Sequence, residues 1–334
     1  GGGRPPPAWG GGRPARSLQS KVIPIHTSGT ARGKGFSLLE LMVAMAITTI
    51  IVTVLVSVTS LSLDAWNRSR AEIRASRQAK TMVDTMARDF EALVTRRGNS
   101  YEWLSAKASL PDGNPNLQSS NAAEVYFFTS ATDRYQGDIG GANDLGGDVS
   151  CVGYDLDYKD PIQGPGGEFK TFVLNRKLVD PKETFDTLLG QTDLLGKFPA
   201  GISANSNFVC ENVYQFSLSF HVEVVKGVGS PPVMTTYVVP MTIAQGSNPG
   251  SIGTFKILGT GIVYTGTANS IPNASLTEPE IKAGRVTAVE ISLTVLSDFG
   301  IDQLRKRTFT GNQKTEFLNK NSYQYSKRIE IPSM

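Results

Sequence analysis

Glu40 is the one ionisable side chain in a run of apolar and small polar residues that extends from Phe36 to Leu63. A carboxylate inside hydrocarbon costs roughly 2.5–3.5 kcal/mol even on the lenient insertion scale, so such a group normally takes a partner. If the chain is cut just before Phe36, the new N-terminal ammonium supplies that partner, either the chain's own or that of a neighbouring copy. Pairing with a neighbour would neutralise both charges and set the axial register of an assembly of helices. The alternative is a carboxylate resting at headgroup level, where a helix start favours an acid in any case.

The position of Gly35 bears on the cut. A secretory signal has an apolar region of about 7–15 residues followed by a small-residue cleavage site. Here the small residue comes first, so cutting after Gly35 leaves the apolar segment as the mature N-terminus. Residues 1–35 contain Arg4, Arg13, Arg16, Lys21, Arg32 and Lys34, no acid and many Gly and Pro, and read as a basic leader that is removed. The whole chain has 33 basic and 30 acidic residues, a net charge of +3; without those six it carries 27 against 30, or −3. The basic balance therefore does not point to nucleic acid.

Lys34-Gly35-Phe36-Ser37-Leu38-Leu39-Glu40-Leu41 resembles the type III signal of type IV pilins and type II secretion pseudopilins. The resemblance implies cleavage between Gly35 and Phe36 by a prepilin peptidase, N-methylation of Phe36, and Glu40 as the carboxylate of an assembly ion pair. It also implies other pilin or pseudopilin subunits and an inner-membrane assembly platform as partners. The topology it implies is a single membrane pass with a cytoplasmic N-terminus and an exported C-terminal domain. Charge flanks do not argue for that orientation on their own, since Arg68, Arg70, Arg74, Arg77 and Lys80 follow the span closely.

Other chemistry is sparse. His221 is the only histidine beyond the leader and is expected to face solvent from the polar side of a strand, with Glu223 on the same face and no nucleophile at a recognisable spacing. Gly190 to Lys197 has the look of a phosphate loop, but with five residues between the glycines and Phe198 where Ser or Thr should hold magnesium, it is rejected. The loop Asp133 to Asp148, with Asp138, Asn143 and Asp144, reads as turn-forming sequence, calcium being the alternative ligand reading. No cofactor and no enzymatic activity are expected. Cys151 and Cys210, the two cysteines, both fall in the exported part and suggest one disulfide, the other reading being two separate small buried hydrophobes.

The elements that hold these residues follow from pattern. Neither Gly nor Pro occurs from Phe36 to Arg97, which predicts one continuous helix stopped at Gly98. Its first part, 36–63, is roughly 42 Å long and can span a bilayer. Its second part, 64–97, carries an apolar stripe of Ala75, Ala79, Met82, Met86, Phe90 and Leu93 beside a solvated stripe of Arg77, Lys80, Asp84, Arg88 and Glu91, with an Asp84–Arg88 pair. Residues 98–334 then alternate as strands. Candidates are Glu124–Thr129, Val149–Tyr158, Phe169–Asn175, Phe216–Val224, Val233–Ile243, Thr254–Tyr264, Val289–Val295 and Tyr323–Ile331, with short helices at Lys182–Leu189 and Phe299–Arg305.

The expected fold is α+β and pilin-like: one long N-terminal helix, transmembrane then amphipathic, packed on an antiparallel β-sheet domain. Within the superfamily the segments Cys210 to Phe216 and Arg285 to Ile291 resemble minor pseudopilins of the J type, and look still closer to the pilin-like Verru_Chthon cassette protein C family. The helix-kinking Pro of major pilins is absent, its place being taken by Ser57. The rival readings are an adhesive or DNA-binding subunit at a pilus tip, for which no basic aromatic patch is visible, and a membrane-anchored enzyme.

Overall fold

The computed structural model describes residues 35–109, 122–130, 147–162, 167, 169–226, 233–241, 253–265, 276–309 and 311–331. Helix α1 runs from Leu38 to Glu91 without interruption. The chain divides into two compact units at Leu61/Ser62, inside that helix.

In the first unit every described residue is exposed. The segment is long and apolar enough to cross a membrane. Hydroxyl groups along it do not spoil this where they bond back to the carbonyl four residues earlier: Thr48 to Ala44 at 2.7 Å, Thr49 to Met45 and Thr53 to Thr49 at 2.8 Å, Ser57 to Thr53 at 2.9 Å, and Thr59 to Leu55 at 2.8 Å. Polar groups satisfied within the helix can face hydrocarbon at little cost.

The second unit has two antiparallel sheets. The larger holds β1 (Glu102–Ser109), β2 (Ala122–Thr129), β3 (Ser150–Lys159), β4 (Thr171–Leu178), β5 (Phe208–Glu211), β8 (Thr254–Leu258) and β9 (Gly261–Thr265), in the order β5-β4-β3-β2-β1-β8-β9. The smaller holds β6 (Val213–Lys226), β7 (Val233–Met241), β10 (Arg285–Leu296) and β11 (Ser322–Glu330), in the order β11-β10-β6-β7. The chain passes from one sheet to the other at Asn212, which adopts φ 61°. That left-handed corner is fixed by side-chain bonds: Asn212 accepts from Thr171 Oγ1 at 2.6 Å and donates to Asp298 at 2.8 Å.

The apolar stripe of α1 packs as its spacing requires. Ala75, Ala79, Met82, Met86 and Phe90 are all buried, and Phe90 stacks on Phe127 of β2 at 4.2 Å. Phe220 of β6 stacks on Phe255 of β8 at 4.1 Å, joining the two sheets in the same core. A second, smaller cluster of Trp103, Phe128, Cys151, Leu188 and Leu194 covers the opposite face of the larger sheet. The α+β layout expected of the sequence is the one observed.

Three local expectations are corrected. The helix stops at Glu91, not near Gly98, because Ala92 accepts the Ser130 N–H at 2.9 Å and Val94 donates to Phe128 at 2.9 Å, so the chain is taken up beside β2. Asp84 pairs with Lys327 of β11 at 2.8 Å instead of with Arg88. His221 is buried, flanked by Val238 and Ala288 on the neighbouring strands, with the Glu290 carboxylate 3.7 Å from Nε2.

The sequence pattern also hid a buried ion pair. Asp89 lies on the core face of α1 and receives two bonds from Arg176 of β4, Nε at 2.8 Å and Nη2 at 2.9 Å; the Tyr154 hydroxyl of β3 donates to the same carboxylate. Asp89 and Arg176 side chains are each 3% exposed. The fork-to-carboxylate geometry satisfies both charges, which burial would otherwise penalise heavily.

Candidate processing site and membrane helix

Gly35, Phe36 and Ser37 precede the first helical residue and are not helical. Ser37 caps the helix: its Oγ accepts the Glu40 N–H at 3.1 Å, and Glu40 Oε2 accepts the Ser37 N–H at 3.0 Å. This reciprocal arrangement is a capping box, and it satisfies two of the amide groups that every helix start leaves unpaired. The Ser37-Leu38-Leu39-Glu40 spacing is its sequence signature, Ser at the cap and Glu three residues on.

The capping box has two chemical consequences. It ends the helix at Leu38, so the Gly35–Phe36 peptide bond lies in accessible, irregular backbone, the form in which a protease can take a substrate; Phe36 is 86% exposed. It also orients Glu40 back toward the chain start, one turn beyond Phe36. A Cβ placed on Gly35 would meet nothing within 4 Å. The fold therefore makes no demand for glycine there, and any demand for a small residue must come from whatever binds the site.

The structure brings Gly35, Phe36, Ser37 and Glu40 together and leaves the other candidates apart. The two cysteines are free and buried. Cys151 is on β3 and Cys210 on β5, with β4 between them; Cys210 stands opposite Leu174, whereas Cys151 accepts the Val179 N–H. Two strand spacings and five residues of stagger put them roughly 19 Å apart, far beyond the Cα separation of about 7 Å that a disulfide tolerates. They also face different clusters, Cys210 the main core and Cys151 the smaller one. The expected disulfide is thus corrected to the other reading, two buried thiols, and burial pushes the Cys210 thiol up to about 12.

The Gly190 to Lys197 segment forms the short helix α3 (Leu194–Lys197), after α2 (Pro181–Glu183). The Leu194 N–H donates to the buried carboxylate of Glu102 at 2.8 Å, so an acid already holds the place a phosphate would need. Of the calcium candidates, Asp133, Asp138, Asn143 and Asp144 lie outside the described residues; Asp148 is exposed. Among the described residues no cluster of three or more His, Cys, Asp or Glu has metal-holding geometry.

Residues 31–56 match the prokaryotic N-terminal methylation motif, a span that contains the whole Gly35 to Glu40 site and the first part of the apolar helix. No curated protein and no solved structure matches the chain. The motif and the helix behind it are those of a type IV pilin-like prepilin signal, and they point to a processed, membrane-anchored structural subunit.

Proposed function

We propose that the chain is a minor pilin or pseudopilin: made as a membrane precursor, cleaved after Gly35, N-methylated on Phe36, and drawn from the inner membrane into a short periplasmic filament serving a type II secretion or type IV pilus machine. The observation that carries the reading is the capped helix start. A cleavable Gly35–Phe36 bond in open backbone stands directly before an apolar helix whose single carboxylate is held one turn above it.

The finer assignment to a J-type minor pseudopilin rests on the two short segments named above. In the fold they lie on neighbouring strands without facing each other: Arg285 to Ile291 stands opposite Glu223 to Leu218 of β6, and the Val213 to Phe216 part of the other segment stands opposite Val295 to Leu293. In the assembled filament, Glu40 would exchange its local N–H contact for the ammonium of a neighbouring Phe36. Prepilin peptidase and an assembly platform act on the precursor.

Mass spectrometry of the N-terminal peptide from membrane-extracted protein tests the proposal. The expected species starts at Phe36 and carries one methyl group. An intact leader would overturn the reading. Because nothing in the fold crowds Gly35, Gly35→Ala should be processed nearly as well as the parent, and a bulky residue there should block cleavage while leaving the folded domain unchanged.

A further inference from the structure

Far from the processing site in sequence, the β-rich unit builds a basic groove. Residues 95–97 follow α1, the β8–β9 turn lies against them, and the junction of α4 (Glu278–Ala283) with β10 closes the third side, leaving a cleft of ≈ 210 Å³. Arg96, Arg97, Lys282 and Arg285 line it, and no carboxylate is among the lining residues. Glu223 holds Arg285 at 2.9 Å, while Arg96 and Lys282 are exposed. The floor is aliphatic, made by the buried Ile257, Ile262 and Val286.

Close backbone approach fixes the walls. Gly261 has φ +129° and a Cβ there would run into the Lys282 carbonyl; at Gly259 a Cβ would meet the Asn99 and Arg96 backbone. The turn thus holds its shape with no side chain of its own in these positions. The cleft shares Ile262 and Lys282 with a second groove of ≈ 130 Å³ between β9 and α4, which Glu278 also lines. Among the described residues, β9 has a strand on one side only.

We propose that this groove binds an extended, carboxylate-bearing peptide segment of a partner protein, laid along β9 with its acidic group against Arg96 and Lys282. A sheet edge supplies backbone pairing to an extended segment, and cations at one end give it direction. The basic cleft has no aromatic lining on which a nucleic-acid base could stack, and Tyr264 is the one aromatic side chain lining the second groove. The site stands apart from the pilin reading and does not depend on it.

The test uses the detergent-solubilised full chain and a fluorescent octapeptide of alternating Glu and Val, followed by anisotropy. Saturable binding is expected, with Arg96→Gln and Lys282→Gln each weakening it about threefold and the double variant about tenfold, while a Lys-and-Val peptide fails to bind. Equal thermal melts of parent and variants show that the fold is kept. Failure to saturate, equal binding of the Lys peptide, or unchanged affinity in the double variant overturns the proposal. So does equally effective competition by a short oligothymidylate, which would make the groove a nucleic-acid site.

Discussion

Helix α1 carries two carboxylates at sites where charge is costly, and it treats them in opposite ways. Asp89 is enclosed by Arg176 and Tyr154, every one of its oxygen contacts supplied from the same chain. Glu40 has one local backbone contact in an otherwise exposed apolar segment. Where a charge lacks contacts of its own, a partner is to be sought. A charge that the fold completes contributes to the fold, and a charge that the fold leaves half-satisfied is available to something outside it.

The largest test of that contrast removes Asp89. Asp89→Ala leaves the Arg176 guanidinium buried without its acid, and should destabilise the domain by about 3–5 kcal/mol in urea unfolding. Replacing both partners, Asp89→Leu with Arg176→Met, should recover most of the loss, since a buried pair exchanged for packed apolar groups is often near neutral. If the double variant were as unstable as the single, the pair's value would lie in its shape and not in its charges.

Glu40→Gln should do the reverse. The globular domain should unfold within about 0.5 kcal/mol of the parent, as expected of a change outside its packing, while crosslinking between engineered cysteines on adjacent membrane helices falls. Unchanged crosslinking would mean that apolar helix packing alone sets the register. A smaller effect is expected of Ser37→Ala, which removes the cap and should cost the helix start about 1 kcal/mol; amide exchange at Leu39 and Glu40 reads it.

A pH-dependent effect is expected at Asp155 of β3. Burial, then the charges of Glu124 and Asp157, push its carboxyl up to about 7, with Lys107 opposing. A carboxyl raised in the folded state takes up its proton before the unfolded chain does, so its contribution to stability grows as pH falls from about 7 toward 4. The slope is at most about 1.4 kcal/mol per pH unit. Urea titrations of parent and Asp155→Asn across that range check it, and the variant should lose this part of the slope.

The sequence made the large features legible because they repeat. Spacings of three and four in α1 marked the face that packs, and alternation marked β6 and β10. Strand β1 was missed because Glu102 to Ala106 is buried on both faces, which erases alternation. Helices α5 (Asp298–Lys306) and α6 (Asn312–Asn321) show the same limit from the other side: α5 has an apolar stripe and was expected, whereas α6 has no buried residue and was not. Asp89 escaped notice because its partners lie 65 and 87 residues away, and no local pattern carries a contact of that range. The two cysteines misled for a related reason, since an even count says nothing about which strand comes between.

The order in which the strands are laid down has a kinetic consequence. Lys107 of β1 stands opposite Thr254 of β8, so the larger sheet admits its last hairpin only after the first two strands of the smaller sheet have been made. Until then one edge of β1, already paired with β2 on its other side, stays open for about 150 residues of synthesis. Such long-range closure slows folding and leaves intermediates able to pair with one another. Truncation anywhere before residue 265 should therefore yield a sticky fragment instead of a smaller stable domain, and a chain like this one has reason to be escorted until its end is complete.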